Sequence, residues 1–156
     1  MIKVLIALDF DPSAQKVAEE GYAIAKALSA EVTLVHVKAG AKYYASVGHV
    51  TVIGFTGHLK DDKPIPPEIL NPDIISQEFL KKAMLHLGNG NIKILAVGGA
   101  CAESLIKTAQ NLKSDLIIMG SHSRRWFENT TMGSITERVL LNSNIPVLVI
   151  PTNKSH

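Results

Sequence analysis

Residues 115–136 read DLIIMGSHSRRWFENTTMGSIT, which is a short apolar run, then a polar segment, then the start of a second apolar pattern. The run Asp115 to Met119 is rich in β-branched residues and apolar on both faces, as is typical of a parallel strand in a sheet covered on both sides. From Thr131 to Asn142 the apolar residues recur at helical spacing. The inward residues of this helix are predicted to be Ile135, Val139 and Leu140. The stretch therefore predicts a strand, a loop and a helix.

Strands and helices are also predicted in the rest of the chain. Further strands are predicted over Ile2 to Leu8, Glu31 to Val37, Ile92 to Val97 and Pro146 to Ile150. Further helices are predicted over Pro12 to Leu28, Glu68 to Leu87 and Ala102 to Leu112. Asp11 is the predicted N-cap of the first helix and Pro12 its first residue. Strands and helices alternate, so the sequence predicts an α/β fold: a doubly wound, five-stranded parallel sheet with helices on both faces and right-handed crossovers.

Length and composition indicate one domain. The chain has 156 residues, of which 46% are hydrophobic and 19% charged, a balance typical of globular proteins. We expect a single domain over residues 1–151 and a flexible polar tail over 152–156. The segment 38–67 is longer than most connections in compact domains and is predicted to be an extended surface loop. Residues Val47 to Phe55 alternate enough to form a short extra strand or hairpin.

Several classes of protein are disfavoured. The net charge is only +2 and the basic residues are scattered, so we expect no nucleic-acid partner. No apolar stretch reaches the roughly eighteen residues that a membrane helix needs, and the N-terminal apolar run is broken before a secretory core is complete. The single cysteine, Cys101, cannot form an internal disulfide. The expected location is the cytoplasm, away from membranes.

Ligands of open parallel sheets bind beyond the carboxyl ends of the strands, where the strand order reverses. The residues at those ends are Asp9, Val37, Lys38, Gly98, Gly99 and the segment Gly120 to Ser123. Gly133 and Ser134 then begin a helix whose free N–H groups and dipole could hold an anion, with the hydroxyls of Ser134 and Thr136 as further donors. The alternative is that Gly120 ends a strand and Ser134 only caps a helix.

The segment Gly120 to Ser134 resembles the nucleotide signature of the universal stress protein family. That signature is a glycine, two residues, a glycine, nine residues, a glycine, and then serine or threonine. The resemblance covers nearly the whole chain, since KVLIALD, LVHV, DLIIMGSH, MGSITERVL and NIPVLVIP are similar to successive family motifs. It implies an adenine nucleotide alpha hydrolase-like fold. One position departs from the signature, because Ser123 stands where the family has its second glycine, and its Cβ could crowd a phosphate.

The resemblance also implies a ligand and a set of contacts. The ligand would be ATP or another adenine nucleotide, with or without Mg²⁺. Asp9, preceded by Ala7 and Leu8, would lie beside the base and ribose, and the backbone at Val37 would meet the adenine edge. The ribose and phosphate path would be lined by Met119, Gly120, His122 and Ser123. The phosphates would be wrapped by Gly133, Ser134, Ile135 and Thr136. No catalytic residue and no metal ligand is implied.

Three functions are compared. The favoured one is a nucleotide-binding regulatory or stress-response domain without dedicated catalysis. The second is a slow ATPase, which is disfavoured because the sequence has no P-loop. The third is a nucleotide-free interaction module, which Ser123 favours. A homodimer is predicted through the strand Pro146 to Ile150, an apolar edge with no charge to protect it, unless the loop 38–67 covers that edge.

Other notable side chains are assigned simpler roles. Asp9 could instead be a turn residue that starts the first helix. His36 is predicted to be a core residue and Cys101 a small hydrophobic residue without a reactive role. Trp126 and Phe127 could cover a ligand or pack on a partner, and packing is favoured. The acidic residues Glu103, Glu128 and Glu137 are expected to face solvent.

Overall fold

The computed structural model describes residues 1–40, 71–88, 91–121 and 133–152. Its strands are β1 (Lys3–Ala7), β2 (Glu31–Val37), β3 (Lys93–Val97), β4 (Leu116–Gly120) and β5 (Val147–Ile150). Its helices are α1 (Ala14–Ala27), α2 (Pro72–His86), α3 (Cys101–Asn111) and α4 (Ser134–Asn142). The predicted α/β alternation is confirmed. The predicted extra strand at Val47 to Phe55, and the loop from residue 41 onward, lie outside the described residues.

The strands form one parallel sheet in the order β3-β2-β1-β4-β5. The chain starts in the middle at β1, runs outward to β3, and then returns to the other side of β1 for β4 and β5. The strand order therefore reverses between β1 and β4. The helices that follow these two strands in the sequence, α1 and α4, pack on opposite faces of the sheet, so a crevice opens there.

Two apolar layers cover the sheet. Alternate residues of a strand point to opposite faces, which is why β1 and β4 each contribute to both layers. One layer packs α1 and α2 on Val4, Ile6, Leu34 and Ile118. The other packs α3 and α4 on Leu5, Val35, Ile117 and Met119. The central strands are thus fixed from both sides, which holds their carboxyl ends at defined positions.

The start of α1 differs from the prediction. Asp11 and Pro12 precede the helix, and Ser13 occupies the cap position of a helix that begins at Ala14. The carboxylate of Asp11 accepts hydrogen bonds from the amide of Ser13 at 2.8 Å and from its hydroxyl at 2.6 Å. Asp11 therefore closes a turn two residues ahead of itself, as aspartate often does, and does not cap the helix. The helix predicted from Pro12 was placed too early.

Two other helix details are corrected by the structure. α2 begins at Pro72, later than predicted, and the side chain of Asn71 caps it by accepting from the amide of Asp73 at 2.9 Å. In α4, Val139 is buried but Leu140 is 40% exposed, so the inward assignment of Leu140 was wrong. Consecutive helical residues are rotated by about 100°, and only one of this pair can face the sheet. Within the described ranges, no helix is long and apolar enough to cross a membrane.

Candidate functional site

The turn after β1 is held by strand β2. The amide of Leu8 donates to the carbonyl of Val35 at 2.8 Å, and the carbonyl of Leu8 accepts from Nδ1 of His36 at 2.8 Å. Asp9, half-buried, follows at once, and its own carbonyl accepts from the amide of Asp11 at 2.9 Å. Leu8, the residue before Asp9, therefore has both of its backbone polar groups hydrogen-bonded to β2. These two bonds hold the start of the turn that carries Asp9.

His36 is a buried, neutral side chain. The residue is 1% exposed. Burial lowers its pKa below the ordinary histidine value, and the hydrogen bond to Leu8 opposes this only in part. A carbonyl oxygen can only accept, so Nδ1 carries the proton in this bond. The neutral ring with hydrogen on Nδ1 is the tautomer that the geometry requires.

Gly120, at the end of β4, lies where a side chain would be crowded by its neighbours. A Cβ there would stand 3.0 Å from Cγ2 of Thr152 and 3.0 Å from Cγ2 of Val17. The carbonyl of Gly120 accepts from the hydroxyl of Thr136 at 2.8 Å. The fully buried Thr136 therefore joins the start of α4 to the end of β4. Its hydroxyl hydrogen is committed to Gly120, so the prediction that this hydroxyl donates to a ligand does not fit the structure.

The two halves of the glycine signature meet at Ser121. Its carbonyl accepts from the amide of Gly133 at 2.7 Å, while its own amide donates to Ile150 at 2.9 Å. Its hydroxyl oxygen accepts from the amide of Thr152 at 2.9 Å. The amide of Gly133 is thus used within the protein. At the start of α4, the amides available for an anion begin with that of Ser134, because the first turn of a helix has no intrahelical acceptors.

A cavity of about 50 Å³ lies at the reversal point of the sheet. Its walls are mainly apolar, with contributions from Val35, Leu105, Met119 and Ile135. The carboxylate-bearing residue in its lining is Asp9. An apolar lining with a few polar groups is typical of sites that bind small molecules. In the part of the chain that the structure describes, no group of three or more His, Cys, Asp or Glu residues could hold a metal ion.

The sequence model of the universal stress protein family matches residues 1–151. The chain belongs to the universal stress protein family. It is 29% identical to universal stress protein MJ0577 of Methanocaldococcus jannaschii over 157 aligned positions, which cover 98% of this chain and 96% of that protein. The resemblance to this family that the sequence motifs indicated is confirmed.

Two solved universal stress proteins have the same fold. UspA from Lactobacillus plantarum superposes with a TM-score of 0.70 at 19% identity, covering 96% of this chain and 97% of that one. A universal stress protein from Archaeoglobus fulgidus, solved in complex with dAMP, superposes with a TM-score of 0.62 at 18% identity. That alignment covers 96% of this chain and 98% of the Archaeoglobus chain. At these identities the likeness establishes the fold.

In this universal stress protein most of the predicted site residues come together. The cavity is lined by Ala7, Leu8, Asp9, Val37, Met119, Gly120 and Ile135. Gly133, Ser134 and Thr136 stand at the start of α4, joined to the same crevice through Ser121 and Gly120. His122 and Ser123, with Trp126, Phe127 and Glu128, lie outside the described residues.

Sequence reasoning missed three polar or reactive residues of the cavity wall. They are Ser13, His36 and Cys101. Cys101 is the first residue of α3. A rule that selected the first residue of the following helix, as well as the residues just after each strand, would have included it. His36 was assigned to the core because it lies in an apolar strand. It is buried as predicted, but it also borders the cavity.

Proposed function

We propose that this universal stress protein binds an adenine nucleotide, ATP or AMP, in the cavity between the ends of β1 and β4. The observation that carries the proposal is the convergence of Asp9 and an apolar wall at the point where the strand order reverses. The universal stress protein family supplies the expected function, which is a regulatory or stress-response domain of the cytoplasm without dedicated catalysis.

The residues present fit the parts of a nucleotide. Val35, Val37 and Met119 offer apolar contacts to a base. The carboxylate of Asp9 can accept hydrogen bonds from ribose hydroxyls. The amides at the start of α4 point a partial positive charge at a phosphate, and Ser134 there is exposed. The Archaeoglobus protein of the same fold was solved with dAMP, which supports the same class of ligand here.

Thermal unfolding with added nucleotide tests the proposal. A ligand that binds only the folded state stabilises it by about 2.7 kcal/mol at one hundred times Kd, which corresponds to a rise in Tm of roughly 5–10 °C for a chain of this size. We expect the rise with ATP or AMP and a much smaller one with GMP. Parallel samples with and without Mg²⁺ show whether the ion contributes. No rise with any adenine nucleotide at millimolar concentration contradicts the proposal.

Asp9→Asn tests the assignment of the carboxylate. Removing a charged acceptor from a ribose contact should weaken binding about 10- to 100-fold, since hydrogen bonds to charged groups are worth about 1.5–3 kcal/mol. Asp115→Asn is the matched control. Asp115 lies just before β4, at the amino ends of the strands, where its carboxylate accepts a hydrogen bond from the amide of Lys3. Equal affinity of the two variants, measured by calorimetric titration, would exclude Asp9 as a contact.

We also propose a homodimer formed by β5 pairing with β5 of a second copy. β5 is an edge strand, and Val147, Leu148 and Val149 are each partly exposed. Leu141 on the neighbouring α4 is 78% exposed. Unpaired backbone groups beside apolar side chains favour association, and a two-fold arrangement would close it at two chains.

Val149→Lys tests the dimer. A charge in the pairing strand should shift the protein toward monomer in sedimentation velocity at tens of micromolar. The matched control is Ile74→Lys, which makes the same change at a 59% exposed position on α2 and should leave the sedimentation coefficient unchanged. A wild-type protein that sediments as a monomer at this concentration refutes the dimer.

A further inference from the structure

Three buried rings bracket the turn that carries Asp9. The ring of Phe79, from α2, packs edge-on against that of Phe10 with centroids 5.3 Å apart and an angle of 63°. It also packs edge-on against the ring of His36, with centroids 5.4 Å apart and an angle of 69°. Phe79 thus contacts Phe10, which follows Asp9. It also contacts His36, whose ring is hydrogen-bonded to the residue before Asp9. All three rings are at most 4% exposed.

The bond from His36 acts on the backbone of the turn. Leu8 is itself buried, so its carbonyl has little access to water. Nδ1 of His36 reaches this oxygen at 2.8 Å across the gap between β2 and the end of β1. The ring cannot rotate freely about χ2, because Phe79 packs against it. The donor is therefore held in place on one side of Asp9, and Phe10 is held on the other.

We propose that His36 is a positioning residue, whose hydrogen bond to Leu8 fixes the turn that aims Asp9 into the cavity. This inference rests on the proposed nucleotide function, in which Asp9 is the ribose contact. Asp9 has Leu8 and Phe10 as its chain neighbours, so the direction of its Cα–Cβ bond, from which the carboxylate extends, follows from how those two residues are held. Loss of the donor would leave the Leu8 carbonyl poorly solvated and would let the turn change its φ and ψ angles.

Two variants separate positioning from simple packing. His36→Phe keeps a ring against Phe79 but removes the donor. His36→Asn removes the ring but keeps an N–H donor at about the position of Nδ1. Positioning predicts that the asparagine variant retains nucleotide affinity within about threefold while the phenylalanine variant loses about tenfold or more. A role in packing alone predicts the opposite order, since phenylalanine fills the site better.

The readouts are the affinity for AMP by calorimetric titration and the hydrogen exchange of the Asp11 amide in the protein without ligand. The Asp11 amide bonds the carbonyl of Asp9, so its protection reports on the turn itself. We expect about tenfold faster exchange of this amide in His36→Phe and a rate close to wild type in His36→Asn. The amide of Glu31 donates to the carbonyl of Ile2 at the amino ends of the strands, and it should exchange at the same rate in all three proteins.

Each outcome decides one of the two proposals. Wild-type exchange at Asp11 and wild-type affinity in His36→Phe overturn the positioning role. Faster exchange at Asp11 in His36→Phe, together with a wild type that binds neither AMP nor ATP, supports the positioning of the turn and refutes the nucleotide function. If His36→Phe does not fold, His36→Asn decides: protection of Asp11 close to wild type supports the role, and loss of that protection overturns it.

Discussion

The hydroxyl of Thr136 should stabilise the junction between β4 and α4. Thr136 is fully buried and donates to the carbonyl of Gly120 at 2.8 Å. Thr136→Val keeps nearly the same shape and removes the donor, so the partly buried carbonyl of Gly120 loses this partner. Leaving a buried polar group unsatisfied costs about 1–3 kcal/mol. We expect the free energy of unfolding to fall by that amount and Tm to fall by roughly 2–10 °C.

A second threonine provides the control. Thr108 is 8% exposed and lies on another helix, α3. Thr108→Val makes the same chemical change and should alter the free energy of unfolding by only about 0.5 kcal/mol. Urea unfolding of both variants and wild type measures the difference. A cost for Thr136→Val no larger than that for Thr108→Val would refute the idea that this bond holds the junction.

Two further predictions concern Gly120 and pH. Gly120→Ala should destabilise the protein by about 1–3 kcal/mol, because the new Cβ would stand 3.0 Å from the methyl carbons of Val17 and Thr152. Adding Val17→Ala should recover part of this loss, as measured by urea unfolding. The pKa of buried His36 is lowered in the folded protein, so as pH falls the unfolded chain protonates this histidine first. The free energy of unfolding should therefore be at its full value above about pH 6.5 and should decline as pH falls from there toward the lower pKa of the folded state. The lowered pKa values of Glu19 and Glu31 act only below about pH 4.5, so equal stability of wild type at pH 7.5 and pH 5.5 would contradict the assignment to His36.

The sequence predicted the strands and their ends well because the signals are local. β1, β2 and β4 are apolar on both faces, which parallel strands at the centre of a covered sheet require. Once the strands were placed, the rule for open parallel sheets selected Asp9, Val37 and Gly120 without any knowledge of contacts. All three line the cavity that the structure contains.

Contacts between distant parts of the chain could not be predicted in this way. The partner of the Thr136 hydroxyl is Gly120, sixteen residues earlier and on another element. The bond from His36 to Leu8 spans twenty-eight residues and depends on how β1 and β2 are registered. No local pattern specifies either pair. Gly120 illustrates the same limit. The sequence suggested a glycine that lets a ligand approach the backbone, whereas the structure shows two methyl groups that would crowd a Cβ.

The central claim is that an adenine nucleotide binds at the carboxyl ends of β1 and β4. Amide chemical-shift mapping during a titration with AMP tests it most directly, because it reports location as well as binding. We predict the largest changes at Asp9, Val37, Gly120 and Ile135. The amides of Lys93 and Asp115, at the amino ends of β3 and β4, should not move. Saturation with AMP that shifts amides at the amino ends instead, or no shift with either AMP or ATP at millimolar concentration, would contradict the account.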